Sequence, residues 1–531
     1  MKKSFTIGLF LLIQYFTFSQ EYKERYEAID VKSYSIDISL SDSSNEIRVT
    51  EKIEILFLKN VTSFYLDLVD QGADKKGMKI SKLLENNSEI SFNHSFSKIT
   101  INPSAVKANE TRTYTITYSG IPKDGLVISK NKFGDRTFFG DNWPTRARNW
   151  IASVDHPSDK ATVSWEVEVP NQYKVVANGA FKSEMNLADN RKKVSYYSAT
   201  AIPTKVMVIG VAQFSVEQSG SVNSIPVSSW IYPQNEKEGF YDYALATGIL
   251  EYFITHVGDY SYEKLANVQS TTRYGGMENA SCIFYDEKSV KGNRASEPLL
   301  AHEIAHQWFG NAASEMDWPH LWLSEGFATY FTNLYLEEKK GKEVFNEQEI
   351  SDRKEVIEFY KGNKTPVIDT ISTDLMYRLN PNSYQKGGWV LHMLRRKIGD
   401  EIFWKGMKLY YATYKLSNAT SDDFIAIMEQ TSGMELSSFF DQWLRKSGHP
   451  EINVVTKKSK KELTLEVKQV QSSGVIFSFP LEVKLLYKDG SSDIKTFEID
   501  QKNQTISLPI SKKVKSIILD PNTNLLFEEV K

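Results

Sequence analysis

The sequence predicts a multidomain α+β protein, and three observations carry that prediction: its length, an N-terminal stretch of period-two alternation, and a middle stretch of helical spacing that reverts to alternation near the end. At 531 residues the chain exceeds what one hydrophobic core usually organises. The runs YSIDISL (34–40), EIRVTEKIEILFL (46–58), TYTITYSG (113–120) and ATVSWEVEVP (161–170) alternate apolar with polar residues, the pattern of antiparallel strands with one solvated face. Apolar residues then recur at three and four spacing in 241–258, 297–311, 324–341, 386–400 and 420–433, several of these segments opening on Ser, Thr or Asp and closing on Gly. Gly448-His449-Pro450 breaks that pattern, and alternation resumes to the C-terminus. The expected organisation is a segment 1–19 that is removed, a β-rich domain over 20–217, a mainly helical domain over 218–449, and a small β-domain over 450–531.

Segment 1–19 has the layout of a secretory signal: Lys2 and Lys3, an apolar run from Phe5 to Phe18, and the small-x-small triplet Thr17-Phe18-Ser19. Export to a periplasmic or extracellular location is expected. The apolar run is short for a membrane span and contains Gln14, and no later segment holds 18 unbroken apolar residues, so no membrane span is expected after signal removal. Cys282 is the only cysteine, which excludes an internal disulfide. Lys+Arg 64 against Asp+Glu 67 gives a net charge of −3, with no basic excess for nucleic acid. Hydrophobic residues at 41% supply ample core material.

The chemistry concentrates in HEIAHQWFGN, residues 302–311. Residues four apart share one face of a helix, so His302 and His306 can aim at a common point about 2.0–2.1 Å from a zinc ion. Ser296 is expected to cap this helix, with Pro298 in its first turn. Such a site needs a third protein ligand. His320 offers a nitrogen from the loop DWPHLW. Glu325 is better placed, in the first turn of a helix expected to be capped by Ser324. Ala312 and Phe309 occupy positions where a metzincin would need histidine and glycine.

Eighteen residues separate His306 from Glu325, and with HEIAHQWFGN, WLSEGFATY and YGGMEN (274–279) the chain resembles the M1 zinc aminopeptidases. The resemblance implies an N-terminal β-saddle, a thermolysin-like catalytic domain and a C-terminal β-sandwich. It also implies one catalytic zinc held by His302, His306 and Glu325, with Glu303 as general base. Tyr384, in SYQKGGW, falls where the family places the tyrosine that stabilises the oxyanion. Glu278 is implied as the partner of a peptide substrate's free α-ammonium, Gly275 and Gly276 as the backbone along which the peptide lies, and Met277 as lining of the first side-chain pocket. The usual motif has alanine where this chain has Gly276. A second amine anchor, Gln or Glu in relatives, is replaced by Trp143, and Asp141 is the candidate substitute. Many members continue into a large helical domain over the site; this sequence ends at Lys531 without one, which implies a more open cleft. An endopeptidase on the same metal is the nearest alternative, and YGGMEN argues against it.

Overall fold

The computed structural model describes residues 22–531; the signal-like segment lies outside the described residues. The architecture is an N-terminal β-rich region, a mostly helical centre and C-terminal strands in sheets, and the chain divides into two compact units.

The first unit is built on an eight-stranded sheet. In spatial order its strands are Ala180–Asn186, Arg191–Pro203, Lys160–Pro170, Ile29–Ser39, Ile47–Phe57, Glu110–Ile121, Gly77–Glu85 and Ser88–Glu89. Neighbours run antiparallel except Ile29–Ser39 beside Lys160–Pro170. Alternation sets which side chains are buried. In Ile47–Phe57 the residues Ile47, Val49, Ile53, Ile55 and Phe57 are buried between exposed Arg48, Thr50, Lys52 and Glu54. Each fully buried aliphatic side chain contributes roughly 1.5–3 kcal/mol.

One position on that buried face is an acid. Glu51 is fully buried, and its Oε2 lies 2.7 Å from the Tyr118 hydroxyl and accepts from the Ala152 N–H at 3.0 Å. Burial pushes its carboxyl up to about 8. The Tyr118 hydroxyl also reaches the Trp150 carbonyl at 3.0 Å, so it can donate there while accepting from a protonated Glu51. The folded carboxyl keeps its proton while the unfolded one ionises near 4.5, so this group costs stability as pH rises from about 4.5 to about 8. Glu51→Gln is expected to remove that loss, worth on the order of a few kcal/mol. Denaturant melts at pH 4 and pH 8 check it, the gain being large only at the higher pH.

A five-stranded mixed sheet follows, in the order Ser215–Val222, Ile225–Ile231, Leu265–Ser270, Cys282–Asp286 and Gly276–Met277. The three middle strands are parallel, and Gly276–Met277 forms an antiparallel edge. Helical spacing does not reveal this sheet within the mainly helical stretch. Leu265–Ser270 is buried throughout, so its sequence does not alternate. The Asn267 oxygen accepts from the Tyr285 hydroxyl (3.1 Å) and the Gln269 oxygen from the Tyr232 N–H (3.0 Å), while the Asn267 amide nitrogen has no hydrogen-bond partner.

Among the described residues the α-helices of eight residues or more are, in chain order, α1 (Glu236–Tyr243), α2 (Leu245–His256), α3 (Glu297–Ala305), α4 (Trp322–Lys340), α5 (Lys342–Gly362), α6 (Gly387–Ile398), α7 (Asp400–Tyr414) and α8 (Ser421–Ser432). The second unit holds α4 to α8 and the C-terminal strands. Helix α4 is its centre: from Trp322 to Leu336 all but one residue are buried, and Phe327 and Phe331 pack with Phe309, Tyr410 and Phe424. Thr420 and Asp423 form a capping box at α8, as the TSDD stretch suggests. The C-terminal strands form two sheets. One is ordered Asn503–Pro509, Glu462–Gln469, Glu451–Lys458, Glu528–Glu529; the other Ser492–Ile499, Phe479–Tyr487, Val514–Leu519. Among the described residues no helix is long and apolar enough to cross a membrane.

Two expected caps are corrected. Ser296 stands at the N-cap of α3, but its hydroxyl donates to the Ser289 carbonyl (2.7 Å) and caps nothing. Ser324 lies inside α4, which starts at Trp322, because the preceding 3-10 turn Trp318–His320 runs straight into the helix through Leu321.

Candidate metal centre and active site

Helix α3 presents His302 and His306 on one face. Its regular spacing persists to His306, whose backbone remains helical and whose N–H donates to the His302 carbonyl at 3.3 Å. The two Nε2 atoms are 3.2 Å apart, with rings nearly perpendicular at 84°. Glu325, in the first turn of α4, completes the group: His302, His306 and Glu325 each offer a ligand atom, and these atoms lie within 4.8 Å of one another. His306 and Glu325 are buried. Two imidazole nitrogens facing each other cannot both carry protons, and with the carboxylate they form a donor set suited to one divalent cation. His320 is engaged elsewhere. Its Nδ1 sits 2.9 Å from the Ser421 hydroxyl and 3.2 Å from the Ser421 N–H, and burial holds its imidazole below the usual histidine range.

Glu303, one residue round from His302, is 5% exposed. It faces the YGGMEN strand. A Cβ on Gly276 would sit 2.1 Å from Glu303 Oε1, so the missing side chain is the space that the carboxyl occupies. The glycine-for-alanine difference in the motif is therefore not neutral: alanine would force the Glu303 carboxyl to rotate.

The strand itself is pinned at several points. Gly276 and Met277 pair with Tyr285 and Phe284, and the Asp286 N–H donates to the Gly275 carbonyl at 2.9 Å. Gln307, on the turn that ends α3, fixes the rest. Its amide donates to the Glu278 carbonyl (2.8 Å) and its oxygen accepts from the Ser281 N–H (2.9 Å). Sequence reasoning missed Gln307, although its position directly after HEIAH was the available signal. Met277 and Glu278 are both buried. A cavity of about 540 Å³ borders this strand, lined by Tyr274 and Gly275 together with Arg273, Lys288, Lys291 and Leu299.

Tyr384 lies in a π-helical turn, Asn382–Lys386, and is half-buried. That turn is locked against α4 through glycines. A Cβ on Gly326 would meet Gly387 backbone at 2.8 Å and the Ser383 carbonyl at 3.1 Å. Gly326, the residue after Glu325, therefore has a packing role, and it sets the turn bearing Tyr384 against the helix bearing Glu325.

Asp141 is placed differently from the other candidates. It is fully buried and paired with the Arg146 guanidinium, and burial outweighs that cation in raising its carboxyl above the usual range. Its Oδ1 is engaged by Arg146 within its own loop, while its Oδ2 is buried without a hydrogen-bond partner.

Comparison with known proteins agrees with this architecture. The sequence model for the Peptidase M1 N-terminal domain matches residues 30–206, and that for the Peptidase family M1 domain matches 241–443. The chain belongs to peptidase family M1. Among M1 relatives it is similar to the glutamyl aminopeptidases of Bos taurus and Homo sapiens, each 28% identical over 331 residues, or 59% of this chain and 34% of theirs. It is also similar to the probable aminopeptidase 2 of Sulfurisphaera tokodaii, 27% identical over 384 residues, or 67% of this chain and 49% of that protein. The chain thus spans about one third to one half of the length of these M1 relatives.

Proposed function

We propose that the chain is an exported zinc-dependent aminopeptidase that removes N-terminal residues from peptides. One observation carries the reading: His302, His306 and Glu325 offer ligand atoms within 4.8 Å of one another, beside a glutamate that is not part of the group. That division of labour, two histidines and a carboxylate for the metal and a neighbouring carboxylate for the proton, is what metal-assisted amide hydrolysis requires. Zinc, when bound by these three side chains, polarises the scissile carbonyl and lowers the pKa of a water toward about 7.

Glu303 takes a proton from the attacking water as it adds to the carbonyl carbon, then delivers it to the leaving nitrogen as the C–N bond breaks. Tyr384 donates its hydroxyl hydrogen to the developing oxyanion. Glu278 pairs with the substrate's α-ammonium, which fixes the first peptide bond as the one cleaved. The edge strand Gly276–Met277 supports this geometry, because an extended peptide can lie along a sheet edge with unpaired backbone groups. Relatives named aminopeptidases support the same activity. The export assignment rests on Lys2, Lys3 and the apolar run 5–18, and predicts a mature N-terminus near residue 20.

A panel of amino-acid chromogenic amides, assayed before and after chelation and after zinc is restored, tests the proposal. Hydrolysis should disappear on chelation and return with zinc. Hydrolysis that survives complete removal of metal would contradict it.

A further inference from the structure

A second group of ligand-type side chains lies in the second unit. After the π-helical turn Asp441–Arg445 the chain passes through His449 and Pro450 into strand Glu451–Lys458. That strand pairs in parallel with Glu528–Glu529 near the C-terminus, placing Glu451 opposite Glu528, and the Glu528 N–H donates to the Pro450 carbonyl at 2.9 Å. Like charges at paired positions on neighbouring strands repel unless something cationic lies between them. Here they face an imidazole. The ligand atoms of His449, Glu451 and Glu528 all lie within 4.8 Å of one another.

His449 is 1% exposed, and neither ring nitrogen has a hydrogen-bond partner; Nε2 is 3.6 Å from Glu528 Oε2, beyond hydrogen-bond length. A buried imidazole left this way is a costly arrangement for a ring whose only purpose is packing. Burial, followed by the charges of Lys386 and Lys364, pushes it down to about 3. Burial and the Glu528 charge also raise Glu451. The Lys364 charge offsets part of that rise, but the hydrogen bonds of both lysines go to backbone carbonyls. The ammonium of Lys386 donates to the Gly448 carbonyl (2.8 Å) and that of Lys364 to the Tyr360 carbonyl (2.6 Å), and burial pushes Lys386 down to about 7.

We propose that His449, Glu451 and Glu528 form a second metal site, structural rather than catalytic, that binds a divalent transition cation such as zinc. One neutral imidazole and two carboxylates balance a 2+ charge and supply the nitrogen and oxygen donors such ions favour. The cation fills the gap between two paired carboxylates and gives the buried imidazole its partner. It also ties the C-terminal strand to the strand that follows the helices, so its binding energy adds to folding stability.

The site is independent of the His302 group, and zinc itself is the probe that separates them. Full-length protein, stripped of metal and reloaded with zinc, should retain about two equivalents per chain after desalting. Glu528→Gln and Glu451→Gln should each retain about one while still hydrolysing the chromogenic amides. Glu325→Gln should also retain about one, without hydrolysis, and that remaining zinc should raise its melting temperature. The double variant Glu325→Gln/Glu528→Gln should retain none and show no such rise. A Glu325→Gln protein that binds no zinc would overturn the second site, as would a Glu528→Gln protein that binds as much as wild type. A Glu325→Gln protein that keeps two equivalents would instead count against the catalytic metal site alone.

Discussion

Glu303→Gln is expected to lower kcat by about 10²–10⁴-fold while leaving the zinc content unchanged. On the proposed mechanism the two effects separate, because it assigns ligation and proton transfer to different residues of one helix. His302 and His306 belong to the metal group, whereas Glu303 turns its carboxyl into the space left by Gly276. Glutamine preserves the shape and burial of the side chain and removes only its ability to accept a proton. Metal analysis on the same preparation used for kinetics is the check. A variant that loses zinc along with activity would place Glu303 among the structural supports of the metal; one that keeps most of its activity would remove it as the base.

Tyr384→Phe is expected to lower kcat by about 10²–10³-fold with little change in KM, the signature of an interaction made mainly in the transition state. The turn that carries the ring is held independently of the hydroxyl. Ser383 donates to the Arg378 carbonyl at 2.7 Å, Asn382 to the Thr365 carbonyl at 2.8 Å, and Lys386 to the Gly448 carbonyl at 2.8 Å, while Gly387 packs on Gly326. Phenylalanine should therefore keep the fold and lose one donor. Steady-state kinetics on a single chromogenic amide resolve it, and a change confined to KM would assign Tyr384 to substrate binding instead.

His302 and His306 were legible in the sequence because their spacing is a consequence of helix geometry, whereas the choice of Glu325 as third ligand rested on the resemblance to the M1 motif. The β-rich N-terminal part was legible for a similar reason: strands such as Ile47–Phe57 have one buried face, and alternation records it. Strands buried on both faces leave no such record, which is why Leu265–Ser270 and Cys282–Asp286 were not read as the sheet that carries the YGGMEN edge. Contacts between segments distant in sequence were also hidden. Gln307 bridging Glu278 and Ser281, Gly276 yielding its volume to Glu303, and Gly326 meeting Gly387 each join parts of the chain whose proximity only the fold creates. The ion pair of Asp141 with Arg146, five residues on, was likewise not legible from its position near Trp143.

Selection of a free N-terminus by this site is measured directly by one comparison. A peptide and its N-acetylated form are incubated with zinc-loaded protein, and the products are identified by mass. The unblocked peptide should lose residues one at a time from its N-terminus. The acetylated form should be cleaved far more slowly, because its amide carries no charge to pair with Glu278. Equal cleavage of both, or cuts at internal bonds, would contradict the aminopeptidase assignment and return the site to an endopeptidase.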